Sequence, residues 1–169
     1  MKLNIGGEEK KEGWKILNIQ KKPHVDFIGD ISDLRQFEDN SIDEIYASHV
    51  IEHVPQKKIK QTFEGIFRVL NQNGKIYISV PDMDILCTIF IDPKAPIKVK
   101  HHVMRMMFGG QTDDFDFHYY GWNIEFMKNT LSAVGFKKLE RVKSFSLFKD
   151  TSEFAPYGSP ISLNVIGYK

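Results

Sequence analysis

The chain has 169 residues, enough for one domain, and 41% of them are hydrophobic, enough for a core without metal or disulfide support. Its 23 basic and 22 acidic side chains leave a formal charge of +1, which excludes a global field that would draw in nucleic acid or anionic lipid. No run of about 20 apolar residues is present for membrane insertion, and the single Cys87 cannot close an internal disulfide, so a cytoplasmic protein is expected.

Leu3 and Ile5 predict a short first strand that enters Gly6-Gly7, where backbone amides can approach a ligand closely. The segment from Gly7 to Trp14 is too short for a full crossover helix, so the first βαβ unit is expected to be abbreviated. Ile16, Leu17 and Ile19 predict a second strand; Val25, Phe27 and Ile28 predict a third that ends at Gly29-Asp30. A fourth strand runs from the Asp39-Asn40-Ser41 turn through Ile42, Ile45 and Ala47 to His49-Val50-Ile51-Glu52-His53 before the breaker Pro55. Ligands bind at the carboxyl ends of strands in open α/β sheets, so His49, Glu52 and His53 stand where a cofactor or substrate is expected.

Beyond Pro55, Ile59, Phe63, Ile66, Phe67 and Leu70 recur with helical period, while Lys57, Lys58, Lys60 and Arg68 mark a solvated face. Asn71 to Gly74 is a turn, and Lys75 to Val80 alternates as a strand ending in Pro81-Asp82. Met83 to Met107 is helical in pattern but broken at Asp92-Pro93 and Pro96, predicting two short helices or a helix and a lid. Cys87, among Ile85, Leu86 and Ile89, is expected to be a buried, inert thiol, and Met104, Met106, Met107 and Phe108 are expected to pack on the sheet. The segment from Phe108 to Trp122 is a glycine-, acid- and aromatic-rich loop of a length often tied to function. Asp113, Asp114, Asp116 and His118 offer metal-ligating side chains but no dedicated metal-loop spacing, so no metal site is predicted. Asn123 is placed to cap a last helix on Ile124, Met127, Leu131 and Val134, with Trp122 and Met127 as a hydrophobic staple and Gly135 as the C-terminal stop. Phe136 to Phe148 and Ser162 to Tyr168 predict two strands with no helix between them, hence an antiparallel pair.

Taken in order, Leu3-Asn4-Ile5-Gly6-Gly7, Gly13-Trp14, Gly29-Asp30, Asn40-Ser41-Ile42-Asp43 leading to His49-Val50-Ile51-Glu52-His53, Val80-Pro81-Asp82 and Val134-Gly135-Phe136 resemble the motifs of the class I S-adenosylmethionine-dependent methyltransferases. The resemblance is nearest to the small predicted methyltransferases associated with glycan and cell-surface biosynthesis, and it covers nearly the whole chain. It implies a single domain over residues 1–169 with an α/β, Rossmann-like three-layer α/β/α sandwich, a mostly parallel seven-stranded sheet and an antiparallel last strand. It implies S-adenosylmethionine as cofactor and a small-molecule or glycan acceptor, most simply methylated on oxygen. Gly6 and Gly7 would face the amino-acid and ribose portions of the cofactor, Asn18 the ribose hydroxyls, Asp30 the adenine amine and Ile31 the adenine ring, with Ser48 and His49 bordering the sulfonium. Methyl transfer needs mainly alignment of acceptor and methyl group. A hydroxyl acceptor gains from a general base, for which His49, His53 and His118 are candidates, with Asp82 orienting.

Two residues depart from the family pattern. The glycine bend lacks the residue that separates its two glycines in the family, and Asn18 stands where a carboxylate is usual, which lowers expected cofactor affinity by on the order of 1 kcal/mol. The alternative is therefore a methyltransferase-fold protein with a degenerate cofactor site, acting as a non-catalytic binding or assembly module.

Overall fold

The computed structural model describes residues Met1–Lys169. Seven strands form one sheet: β1 (Lys2–Ile5), β2 (Trp14–Asn18), β3 (Phe27–Ile28), β4 (Ile42–Ser48), β5 (Leu70–Pro81), β6 (Lys138–Val142) and β7 (Ser162–Tyr168), in the order β3-β2-β1-β4-β5-β7-β6. The first five strands run parallel, and β7 lies antiparallel to both β5 and β6. This is the Rossmann-like sheet with a reversed last strand. Four helices accompany it: α1 (Ile59–Val69), α2 (Met83–Ile91), α3 (Ile97–Phe108) and α4 (Ile124–Val134).

The two faces of the sheet are covered differently. Successive side chains of a strand point to opposite faces. Ile45 and Ala47 of β4 and Ile76 and Ile78 of β5 therefore point one way, into a core shared with Phe63 and Ile66 of α1 and Met127 and Leu131 of α4. Tyr46 and Tyr77 point the other way and form, with Trp14, a separate aromatic cluster. That cluster is covered by the β6–β7 connection: Phe148 meets Trp14 edge-on with ring centroids 5.2 Å apart, Phe145 lies 5.6 Å from Tyr46, and Tyr46 Oη donates to Asp150 at 2.8 Å. No helix joins β1 to β2, β2 to β3 or β3 to β4, so the abbreviation expected of the first crossover extends through all three connections.

The connection between β3 and β4 instead buries Ile31, Leu34 and Phe37 against the core. Arg68 of α1 holds it there by donating to the carbonyls of Leu34 and Phe37 at 2.9 and 3.0 Å. That side chain is thus a clamp and not part of a solvated face. Asn123 caps α4 by accepting from Phe126 N–H at 2.9 Å, and Gly135 ends it at φ 108°, a left-handed angle that a side chain would strain.

Four local expectations are corrected. The third strand is only Phe27–Ile28, and β6 ends at Val142, because Phe145 and Phe148 leave the ladder to cover the aromatic cluster. Cys87 is exposed: α2 packs on α3 through Leu86, and Cys87 falls on the outward side. Met106 and Met107 join that α2–α3 cluster, not the sheet, while Met104 and Phe108 are exposed.

Asp82, at the end of β5, fastens three elements. It is 1% exposed, caps α2 by accepting from Asp84 N–H at 3.1 Å, and accepts from Arg141 of β6 at 2.7 Å. Its backbone also bridges to Trp122 ahead of α4. Arg141→Leu leaves a buried carboxylate short of its counter-ion and should cost about 2–4 kcal/mol in urea unfolding, below the full buried-pair range because Arg141 is half exposed. In an Asp82→Asn background the same change should cost only about 1 kcal/mol or less, since no charge remains to be paired.

Candidate functional site

The order of the strands reverses between β1 and β4, and the crevice at such a switch point is where α/β sheets bind ligands. Two adjoining cavities open there, of about 430 Å³ and about 380 Å³, and both are bordered by Ile5, Gly6, Glu8 and His49. The larger also meets Gly7, Ser48 and residues 148–151 of the β6–β7 connection. The smaller extends over Asn18, Asp30 and Ile31 and is closed by Phe115 and Tyr119.

Gly6 turns the chain at the tip of β1 with φ 76°, and a Cβ there would sit 2.5 Å from Val50 Cγ2. Both facts demand glycine. Opposite it, His49 turns the chain at the tip of β4 with φ 52°, a left-handed conformation uncommon outside glycine and concentrated at functional sites. Its N–H donates to Ser79 O at 2.8 Å, which fixes the turn against β5. Ser48 Oγ, just before it, is buried with no hydrogen-bond partner.

Asn18 joins the tip of β2 to the glycine bend. Its Nδ2 donates to Gly7 O at 3.3 Å and its Oδ1 accepts from Gln20 N–H at 2.9 Å. A carboxylate here could not donate to Gly7, so the amide matches the shortened bend, and Oδ1 keeps a second lone pair for a hydroxyl donor. Asp30 accepts from Ser32 N–H at 2.8 Å through Oδ1, while Oδ2 takes no hydrogen bond from the protein; the neighbouring Ile31 is buried. An apolar wall, a free carboxylate oxygen, an amide oxygen and an unpartnered serine hydroxyl around a glycine bend fit a nucleoside carrying an amino-acid tail.

The histidines sit beside this crevice in a different arrangement. Glu52, in a single 3-10 turn (Ile51–His53), is 1% exposed. Its Oε1 lies 3.2 Å from His49 Nδ1, yet neither carboxylate oxygen has a well-formed hydrogen bond. His49 Nε2 lies 3.1 Å from Ser162 Oγ, whose own proton goes to Thr151 O at 3.2 Å. Both ring nitrogens of His49 are thus committed. Burial opposes the charged ring, but the Glu52 carboxylate outweighs it and holds His49 above its ordinary pKa. Burial likewise opposes the charge on Glu52, and His49, with smaller help from His53 and His118, holds that carboxyl below its ordinary value. The two side chains form a buried contact in which each favours the charged form of the other.

His118 is brought to this cluster by the loop before α4. Tyr119 and Tyr120 N–H both donate to Glu52 O, at 2.8 and 3.3 Å, and the His53 and His118 rings meet edge-on with centroids 4.8 Å apart. Burial, more than any neighbouring charge, depresses the pKa of His118. His53 borders the smaller cavity, whereas His118 and Asp82 border neither, and Asp82 faces Arg141 and the start of α2 instead of a histidine. Sequence reasoning placed Glu52 at a strand end but missed its complete burial, which only the docking of the loop around Tyr119 creates. It also missed Tyr46 and residues 148–151 as cavity walls, since nothing local links them to the strand tips.

Residues 9–78 match the family model of the methyltransferase domain. No curated protein matches the chain. Among solved structures, a SAM-dependent methyltransferase from Archaeoglobus fulgidus is similar with a TM-score of 0.59 and 16% identity, over 99% of this chain and 85% of its own. A SAM-dependent methyltransferase from Thermotoga maritima, a possible histamine N-methyltransferase, gives 0.63 and 16%, over 99% and 81%. Burkholderia thailandensis 1,6-didemethyltoxoflavin-N1-methyltransferase, with 1,6-didemethyltoxoflavin and S-adenosylhomocysteine bound, gives 0.61 and 12%, over 99% and 70%. The chain thus has the fold of the class I S-adenosylmethionine-dependent methyltransferases, and a methyltransferase-domain match runs from β2 through β4 into β5.

Proposed function

We propose that the protein transfers a methyl group from S-adenosylmethionine to a polar small molecule, most simply to a hydroxyl oxygen, with glycans within the acceptor class. The observation that carries this reading is the lining of the paired cavities: Gly6, Gly7, Asn18, Asp30, Ile31, Ser48 and His49 all border one or both of them. The methyltransferase-domain match over residues 9–78 and the S-adenosylhomocysteine held by a protein of the same fold support the cofactor.

S-adenosylmethionine, when bound, would supply an electrophilic methyl on a sulfonium: a C–O bond to the acceptor would form as the S–CH3 bond breaks, with S-adenosylhomocysteine leaving and the hydroxyl proton passing to water. The chain's contribution is placement. Asn18 and Asp30 hold the nucleoside end in the smaller cavity, with Ile31 against the base; Gly6 and Gly7 let the amino-acid end cross between strand tips. Glu8 and Asp150 give the larger cavity the polarity that a hydroxylated acceptor requires. His49 acts as a positioning residue, because both of its nitrogens are engaged and its left-handed turn shapes the junction of the cavities. The contribution to rate comes from alignment and exclusion of water.

A non-catalytic module is the second reading, favoured by the commitment of both ends of the Asn18 amide to backbone groups. Calorimetry separates the two. Binding of S-adenosylhomocysteine at micromolar concentration supports the enzyme, and no binding of cofactor or product at millimolar concentration removes it. Gly6→Ala, forced into a left-handed turn and against Val50, should weaken that binding by about tenfold or more. His49→Asn keeps a residue that tolerates the turn but removes the one side chain in contact with the buried Glu52 carboxylate; it should cost about 2–4 kcal/mol in urea unfolding.

A further inference from the structure

Glu52 poses a problem that methyl transfer does not address. A carboxylate sealed from water is costly unless hydrogen-bonded or paired, and this one has only the contact at 3.2 Å with His49 on one oxygen. His53 and His118 stand near it as well, and one donor atom from each of the three residues lies within 4.8 Å of the others.

The two rings are oriented by the backbone. His53 Nδ1 is 3.1 Å from Phe117 O, and His118 Nδ1 is 3.0 Å from Met106 O. A carbonyl oxygen can only accept, so each Nδ1 carries a proton, which makes Nε2 the atom of each ring that can offer a lone pair. An Nδ1–H held by a backbone carbonyl is the outer-shell arrangement of metal-ligating histidines. Asp113 and Asp116, which have the right side chains, are instead used within their own loop: Asp113 accepts from Phe115 N–H at 2.8 Å and Asp116 from Thr112 Oγ1 at 2.9 Å. Only His118 of that segment reaches the cluster.

We propose that Glu52, His53 and His118 bind one divalent first-row transition cation, of the Zn²⁺, Co²⁺ or Mn²⁺ kind, in the wall of the candidate cofactor crevice. Two imidazoles and one carboxylate suit these ions better than Mg²⁺ or Ca²⁺, which take oxygen ligands. Donors at about 2.1 Å from one ion stand roughly 3–3.5 Å apart, so the widest pair, now within 4.8 Å, closes by up to about 1.5 Å on binding. Three protein ligands leave further coordination positions. Because His53 also borders the smaller cavity, an oxygen of water or of a bound molecule can complete the shell.

The proposal does not depend on methyl transfer, and its test needs no cofactor. Chelator-treated protein is titrated with Co²⁺, read by visible absorption, and with Zn²⁺, read by calorimetry. One ion per chain is expected, with Zn²⁺ displacing Co²⁺ and Mg²⁺ giving no signal. His118→Gln and His53→Gln should each weaken binding by about 100-fold, and Glu52→Gln by as much. His101→Gln, on an exposed position of α3, should leave it unchanged. Melting curves check folding; if Glu52→Gln does not fold, the two half-buried histidine variants decide. Binding below one equivalent, or binding that the histidine variants weaken by less than about tenfold, overturns the proposal. Binding of S-adenosylhomocysteine to the same metal-free protein reports separately on the crevice, so either reading can fail alone.

Discussion

The constraint on which the rest depends is the change of direction in strand order between β1 and β4. Their neighbours lead away to opposite sides, and the two tips must turn apart without a helix to guide the first of them. Gly6 and His49 make those turns, both with positive φ, and the space between them joins the two cavities. The strain at His49 persists because Ser79, Glu52 and Ser162 each hold it from a different element. The site is thus maintained by tertiary contacts to the tips of strands and owes little to its own loops.

The histidine-rich end of β4 serves two geometries at once. His49 points to the Ser162 side and closes the junction of the cavities, while Glu52 and His53, one 3-10 turn later, face the loop that delivers His118. The shared carboxylate couples them. Its Oε1 meets the His49 ring that shapes the crevice, and His53 and His118, each fixed by a backbone carbonyl, bring donor atoms within 4.8 Å of that carboxylate. A change at Glu52 is therefore felt on both sides.

Much of the fold was legible because it is written in short-range patterns. The apolar stripe of α1, the Asn123 cap, the Gly135 stop and the alternation of β4 and β5 each depend on neighbours within a few turns or pleats. The tips of the strands were legible for the same reason, since glycine pairs and polar residues punctuate strand ends. What escaped was set at long range. β6 was expected to run on to Phe148, but those aromatics are recruited by Trp14, more than a hundred residues earlier. Cys87 looked buried from its apolar neighbours, yet α2 packs with only part of its circumference, so hydrophobic residues such as Ile91 remain exposed. The Glu52 cluster needed the fold of a loop that has no periodicity to read.

The stretch from Lys143 to Pro160 covers the Trp14–Tyr46–Tyr77 cluster with Phe145 and Phe148, and it also walls the larger cavity through Phe148, Lys149, Asp150 and Thr151. One ribbon thus forms both a cavity wall and the cover over Trp14 and Tyr46, so substitutions that reshape the cavity there also disturb that cover, and cavity shape and robustness are tied together at this edge.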